Sequence, residues 1–90
     1  MAEPYRRTST GSFNCPLSGV IEIITLECDS QNSKAVLYDG SGAGSFGRKL
    51  YNVSALAYDT KITPVLTIPY SGGIYVQISG TGAGISVTVR

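Results

Sequence analysis

The stretch of this sequence that most suggests chemistry is GSGAGSFGRK, residues 40–49. Three of its glycines stand at the spacing G-x-G-x-x-G, and two basic residues follow them, Arg48 and Lys49. In dinucleotide-binding proteins this spacing joins a strand to a helix, and the helix N-terminus binds the pyrophosphate. The first question is therefore whether this stretch binds a phosphate or only turns the chain.

The residues around these glycines argue against phosphate binding. The segment that follows, KLYNVSAL, has the composition of a strand, so the expected strand–loop–helix unit is missing. Gly42 and Gly47 have the separation of the other phosphate-binding loop, G-x-x-x-x-G-K-[ST], but Arg48 occupies the lysine position and no hydroxyl residue follows it. A near-repeat, SGTGAG at residues 79–84, stands between two strand-like segments. We therefore expect a flexible loop between strands and no nucleotide cofactor.

Residue content disfavours other catalytic and metal sites. The chain has no histidine, which excludes Ser–His–Asp and Cys–His couples and histidine-ligated zinc. Glu22 and Glu27 lie five apart in one strand and project to opposite faces, and the aspartates fall at turn positions without the spacing of a calcium loop. We expect Cys28 to be a partly buried thiol at a strand end; a Cys15–Cys28 disulfide is the less favoured alternative. We therefore predict no enzyme, no cofactor and no metal site.

The composition indicates one folded domain with an unusually uncharged surface. Of the 90 residues, 42% are hydrophobic and only 14% are charged, with a net charge of +1, whereas about 25% is the usual charged share. The surface must then consist largely of Ser, Thr, Gly, Asn and Tyr, which suits a protein surrounded by partner subunits. The small net charge argues against nucleic acid and anionic membranes as partners. Since no apolar run approaches about 20 residues, we expect no membrane span. The start, MAEPYRRTSTGSFN, has charge but no apolar core, so we expect no secretory signal and a protein made in a cytosol.

Alternating and β-branched segments predict an all-β fold. They are residues 20–27, 35–38, 49–56, 62–70, 74–79 and 85–89. The first has apolar side chains on both faces, which predicts a strand that is central or covered on both sides. Pro64 and Pro69 confine the fourth to a sheet edge or limit its paired length. The last two alternate with period two around GTGAG, which predicts a hairpin. We predict a small single-domain antiparallel β-sandwich or barrel of about six strands over residues 19–90.

Residues 1–18 have two prolines and no periodicity, and we interpret them as an extended N-terminal arm. One alternative is a frayed terminus; the other is an arm ordered on a neighbouring subunit. In the second case Tyr5, Phe13 and Leu17 are the candidate apolar contacts with a partner, and Arg6 and Arg7 are the charged ones, which we expect to meet carboxylates of the partner.

Two further sets of residues are candidate contacts. In GSGAGSFGRK, Phe46 and Arg48 are the side chains best able to touch a partner at the rim of the domain. Tyr51, Tyr70 and Tyr75 are candidates for strand exteriors, where aromatic faces can bind sugars. The favoured interpretation is that the tyrosines cover the edges of the core or meet other subunits.

Two segments carry a resemblance to a known class of proteins. VLYDG at residues 36–40, followed by a Gly/Ala/Ser-rich turn, and GGIYVQISGTGAGISVTVR at residues 72–90 resemble small structural proteins of tailed bacteriophages. The resemblance covers residues 19–90 and leaves out the first 18. The chain departs from it at Cys15, at Cys28 and in the prolines of TPVLTIP.

The resemblance implies a virion component assembled in the host cytoplasm. The role it favours is a capsid decoration, or cement, protein on the outside of the head, with the major capsid protein or other virion proteins as partners. A head-fibre base, a minor tail component and a receptor- or glycan-binding module of a fibre or tail are the alternatives. Separately from the resemblance, the chain has little charge with which to block open sheet edges, so we expect other subunits to cover them in a homo-oligomer, a dimer or a trimer.

Overall fold

A computed structural model describes residues 3–40, 48–80 and 82–90. These residues form nine strands and no helix: β1 Glu3–Arg7, β2 Gly11–Ser12, β3 Gly19–Glu27, β4 Ser33–Asp39, β5 Arg48–Ala55, β6 Thr60–Ile62, β7 Ile68–Tyr70, β8 Ile74–Ser79 and β9 Gly84–Val89. All the pairs are antiparallel and lie in two sheets, which confirms the predicted all-β fold. Among the described residues no apolar helix has the length needed to cross a membrane.

The first sheet has the order β1-β9-β3-β6, and β7 also pairs with β3. β3 is therefore central, with β9 on one side and β6 and β7 on the other. This confirms the prediction made from its apolar side chains. A register shift between Ile21 and Ile23 interrupts its pairing with β9, and both Ile21 and Ile24 still point into the core, where neither is exposed to solvent.

The segment predicted as one strand over residues 62–70 is instead two three-residue strands along β3. Between them the chain keeps only isolated hydrogen bonds to β3, from the Thr63 N–H to Ile24 O (3.0 Å) and from the Leu66 N–H to Glu22 O (2.6 Å). Proline has no N–H to donate, so a segment with two prolines pairs in short pieces at a sheet edge.

The second sheet has the order β2-β8-β4-β5. β4 and β5 pair antiparallel from Ser33 opposite Ala55 to Asp39 opposite Arg48, and a one-residue shift in register makes Leu50 a bulge in β5. The glycine-rich stretch thus connects two neighbouring strands; its residues 41–47 lie outside the described part of the chain.

The predicted hairpin of the last two strands is wrong. β8 pairs with β2 and β4 in the second sheet, whereas β9 pairs with β1 and β3 in the first. Gly80 and Gly82, with φ of 103° and 79°, lie in the connection that crosses from one sheet to the other. Alternation of apolar and polar residues shows that a strand has one buried face. Because both sheets of a sandwich contain such strands, alternation does not tell which sheet a strand joins.

The first residues of the chain are built into both sheets. β1 forms an edge of the first sheet and β2 an edge of the second, and Phe13 is a core residue, 6% exposed. Over residues 3–13 the predicted arm is therefore part of the sandwich. Extended backbone was expected there, but the pairing partners are β9 and β8 of the same chain.

One contiguous core fills the space between the sheets. Its largest fully buried side chains come from β3, β4, β8 and β9: Ile21, Ile24, Leu26, Leu37, Ile74, Val76, Ile85 and Val87. Cys15 and Cys28 are half-buried free thiols, so the disulfide alternative is not realised. Cys28 directly follows β3, as predicted, and its Sγ lies 3.6 Å from the Ala55 carbonyl oxygen.

The loops gather at two ends of the sandwich. Because β4 and β8 run in opposite directions, the start of β4 lies beside the end of β8, with Lys34 opposite Ser79, and Asp39 lies opposite Ile74. We call the end that carries residues 28–32, 56–59, 80 and 82–83 the first end, and the opposite one the second end. Asp39 and Arg48, which flank the first glycine-rich stretch, lie at the second end, whereas Gly80 and Gly82 lie at the first.

Candidate contact surface along residues 56–65

The predicted contact residues of the N-terminal segment mostly make contacts within the domain itself. Phe13 is buried and Tyr5 packs against the core. The Arg7 guanidinium donates to two backbone carbonyls of the link between β1 and β2, from Nε to Ser9 O (3.0 Å) and from Nη1 to Ser12 O (2.9 Å). Arg7 thus stabilises the point where the chain changes from one sheet to the other.

Arg6 and Arg48 are exposed but lie in ion pairs with the chain's own carboxylates. Arg6 Nη1 lies 2.7 Å from Glu27 Oε1, on the first sheet. Arg48 lies at the second end, where Nη2 is 3.4 Å from Asp39 Oδ2 and donates to Pro69 O at 3.1 Å. The structure does not bring the predicted contact residues together, and Phe46 lies outside the described residues.

Asp39 organises the second end. Its Oδ1 accepts hydrogen bonds from the N–H groups of Gly72 (2.8 Å) and Ser71 (3.2 Å), and its side chain is only 12% exposed. Burial of the carboxylate acts to raise its pKa, but the two N–H groups and the Arg48 guanidinium outweigh burial and hold the pKa of Asp39 below its ordinary value. The ionised carboxylate therefore ties β4 to the turn before β8.

We expect Asp39→Asn to lower the free energy of unfolding by about 1–3 kcal/mol at neutral pH, because a charged acceptor of two backbone N–H groups is lost. Because the pKa of Asp39 is lower in the folded state, its ionised carboxylate adds to the free energy of unfolding above the unfolded-state pKa of about 4. This contribution is lost as the pH falls through the folded-state pKa. The difference from the wild type should therefore shrink below about pH 4. Urea unfolding followed by circular dichroism across pH 2.5–7 measures it. Asp59→Asn, at an exposed position, is the matched control; an equal loss in both variants would contradict the role given to Asp39.

The exposed large hydrophobic side chains of the described residues are concentrated in one segment. Four of the five lie within ten consecutive residues: Leu56 (63% exposed), Tyr58 (78%), Ile62 (63%) and Val65 (75%). The fifth, Leu17, lies at the second end. Single exposed hydrophobic residues are ordinary, but a series of them marks contact sites. We call these four side chains the 56–65 surface.

The first part of the 56–65 surface is a turn fixed by backbone hydrogen bonds. The Tyr58 N–H donates to Asp29 O (2.7 Å), the Asp59 N–H to Leu56 O (3.0 Å) and the Cys28 N–H to Asp59 O (2.9 Å). Asn32 Oδ1 accepts a hydrogen bond from the Ala57 N–H (2.9 Å). The backbone of this turn is thus held by the loop that joins β3 to β4.

Tyr58 has a left-handed backbone, with φ of 62°. This conformation costs a bulky residue roughly 1–2 kcal/mol, and burial does not offset the cost because the side chain projects into solvent. Strained residues that the surrounding structure holds in place cluster at functional sites. The turn therefore presents a tyrosine outward on a backbone held by these hydrogen bonds.

The rest of the 56–65 surface follows the edge of the first sheet. Ile62 stands opposite Thr25 of β3 in the pairing of β6, and Val65 lies in the irregular segment before β7. A groove of about 450 Å³ adjoins Leu56, where the first residues of β4 meet the last residues of β5 and β8. Apolar side chains thus extend from the first end along one side of the domain.

The tyrosines considered for strand exteriors are mostly covered. Tyr70 and Tyr75 are 3% and 7% exposed, and Tyr51 is half-buried against the core. Burial, together with a 3.8 Å contact between the hydroxyl and Cys15 Sγ, raises the pKa of Tyr70 far above its ordinary value. The exposed tyrosine is Tyr58, which sequence reasoning passed over as part of a break between strands.

No cluster of three or more potential metal-ligating side chains occurs in the part of the chain that the structure describes. Comparison of the chain with protein-family models, with curated proteins and with solved structures gives no match.

Proposed function

We propose that this protein is a non-enzymatic structural component of a phage virion, a capsid decoration (cement) protein that binds the assembled head and stabilises it. Its partner is the major capsid protein or another virion protein on the capsid surface. The resemblance of residues 19–90 to phage structural proteins supports the class of protein. The observation that carries the contact is the 56–65 surface, a series of apolar side chains on a fixed turn and a sheet edge.

Apolar contact gives such a protein a simple mode of action. A ligand that binds the assembled shell and not its free subunits stabilises the shell by mass action. Removing a Leu, Ile or Val side chain from water contributes about 1.5–3 kcal/mol when burial is complete, so a few partly exposed side chains give modest binding per copy. Many copies on one particle then add to a large total.

Charge recognition has a small part in this proposal. All four arginines of the chain have partners within the domain: Arg6 with Glu27, Arg7 with backbone carbonyls, Arg48 with Asp39, and Arg90 with Glu22 at 2.9 Å. A partner that took one of these guanidinium groups would have to break an existing contact. The expectation that Arg6 and Arg7 meet a partner's carboxylates is therefore replaced by contact through the 56–65 surface.

We expect the double variant Tyr58→Ser/Ile62→Ser to bind phage heads at least tenfold more weakly than the wild type, a loss of about 1.4 kcal/mol or more. Leu17→Ser removes an equally exposed hydrophobic side chain at the other end and should bind as the wild type does. Heads purified from the phage that encodes the protein, and stripped of it, are mixed with each variant and sedimented, and the bound copies per particle are counted by quantitative mass spectrometry.

Two results would overturn this proposal. One is wild-type affinity in the double variant once circular dichroism shows that it is folded; the other is a virion with no copies of the protein. A glycan-binding module is the second candidate, since Tyr58 presents an exposed aromatic face. It predicts binding to a glycan array that Tyr58→Ser abolishes, together with no binding to stripped heads.

A further inference from the structure

One face of the second sheet is turned away from the core. Ala35 and Leu37 of β4 are core residues with no exposed area, so Lys34 and Val36, which alternate with them, point outward. Asn52 of β5 stands opposite Val36 and is exposed on the same side. We call this side of β4 and β5 the outer face of the second sheet.

Lys49 joins the outer face because of the bulge in β5. The shift in register puts Lys49 opposite Tyr38, which alternates with the buried Leu37 and therefore points outward. Lys34 and Lys49 both line one depression of about 250 Å³. Its other lining residues are Val36, Asn52, Val53 and Ser54. Two lysines thus flank a depression whose remaining walls are uncharged.

The outer face has no carboxylate to neutralise these lysines. The strands of the second sheet contain three basic residues, Lys34, Arg48 and Lys49, and a single acidic one, Asp39. Asp39 is already bound to Arg48 and to the turn before β8. The other acidic residues that the structure describes lie on strands of the first sheet or in loops at the first end.

The lysines differ in this respect from the arginines, each of which has a partner within the domain. Over residues 3–40, 48–80 and 82–90, the ion pairs join Arg6, Arg48 and Arg90 to carboxylates and include neither Lys34 nor Lys49. A partner that bound these two ammonium groups would therefore break no existing ion pair.

We propose that the outer face of the second sheet binds an extended acidic segment of a partner protein, with one carboxylate at Lys34 and a second at Lys49. Because Lys49 stands opposite Tyr38, the two lysines lie four residue positions apart along β4, a distance of roughly 13 Å. Acidic residues at positions i and i+4 of an extended peptide lie on one side of it with the same separation. The residue halfway between them faces Val36 and Asn52, where a small or apolar side chain fits.

The number and spacing of the charges favour protein carboxylates over other anions. Nucleic acids are bound by a patch or stripe of basic residues, and anionic lipid surfaces by clusters of about 4–8, whereas this face has two lysines. Their separation of roughly 13 Å exceeds the screening length of about 8 Å, so each ammonium group attracts a charge of its own. Lysine meets a single carboxylate as a point charge, and Asn52 and Ser54 offer hydrogen bonds to the backbone between the two acidic residues.

Two capped peptides of the same composition test the spacing. SESVSES has its glutamates at i and i+4, on one side of an extended chain, and SESVESS has them at i and i+3, on opposite sides. Each peptide is titrated into the nitrogen-15-labelled full-length protein, and amide signals are followed by NMR. We expect SESVSES to bind at least threefold more tightly than SESVESS and to shift the signals of Lys34, Lys49 and Asn52. Raising the salt concentration should weaken the complex.

Neutral variants test the two lysines. Lys34→Gln and Lys49→Gln are each expected to raise the dissociation constant of SESVSES about threefold, a change of the size measured for one exposed ion pair. Lys61→Gln is the matched control, because Lys61 is an exposed lysine on β6 of the first sheet. It should bind the peptide as the wild type does.

Three results would overturn the proposal: equal affinity for the two peptides, wild-type affinity in the double variant Lys34→Gln/Lys49→Gln, or tighter binding of alginate than of SESVSES. The last result would assign the face to an acidic polysaccharide. Tyr58→Ser/Ile62→Ser leaves the outer face intact and should bind SESVSES as the wild type does. Capsid binding through the 56–65 surface and peptide binding at the outer face can therefore fail independently.

Discussion

Deleting residues 2–13 is expected to abolish cooperative folding of the domain. The deletion removes β1 and β2, exposes the edges of β9 and β8, and takes Phe13 out of the core. Replacing a buried phenylalanine by alanine alone costs about 3–5 kcal/mol, and a small domain has only about 5–15 kcal/mol of total stability. We therefore expect Phe13→Ala to be severely destabilised and the deletion variant to be unfolded.

Urea unfolding followed by far-ultraviolet circular dichroism tests this expectation. Phe13→Leu keeps most of the volume and should lose less stability than Phe13→Ala. Leu17→Ala, at a side chain that is 68% exposed, should stay within about 0.5 kcal/mol of the wild type. An arm that only reached a neighbouring subunit would be dispensable, so a deletion variant with the wild-type midpoint would contradict the sheet pairing of β1 and β2.

Gly80→Ala is expected to lower the free energy of unfolding by about 2–4 kcal/mol, from backbone strain and overpacking together. Gly80 has φ of 103°, and a Cβ there would lie 2.8 Å from the Asn32 carbonyl oxygen and against Ser33 Oγ. Neither neighbour is the free end of a long side chain. The variant therefore tests the crossing of the chain from β8 to β9, which sequence reasoning took for a hairpin turn.

Gly84→Ala is the matched control for Gly80→Ala. Its Cβ would meet the Arg6 guanidinium, which can move away at the cost of an exposed ion pair, about 0–1 kcal/mol. The two variants are compared by urea unfolding under the same conditions. Equal stability of the two would show that the connection after β8 takes another course.

The features that depend on neighbours in sequence were predictable. β3 is central because eight successive residues place apolar side chains on both faces, and Pro64 and Pro69 restrict their segment to an edge because each lacks an N–H. Cys28 at a strand end followed from local residue type. The exclusion of histidine-dependent chemistry followed from residue content alone.

The candidate surface was less predictable because exposure depends on what lies opposite a side chain. Tyr58 and Tyr75 are the same residue type, but Tyr75 is 7% exposed and Tyr58 is 78% exposed. Phe13 and Leu17 both looked like anchors of an arm, yet one is in the core and the other faces solvent. No local pattern distinguishes the members of these pairs.

The sequence by itself determined that these 90 residues form an all-β domain with few charged residues. Alternation and β-branching are local properties, and they decide which backbone a segment adopts and which of its faces is buried. Only the tertiary structure decided that β8 and β9 belong to different sheets, that residues 3–13 complete both sheets, and that the exposed apolar side chains of residues 56–65 lie along one side of the domain. Strand pairing joins residues far apart in the chain, and its free energy depends on the whole set of partners, so a pattern read along one segment cannot specify it.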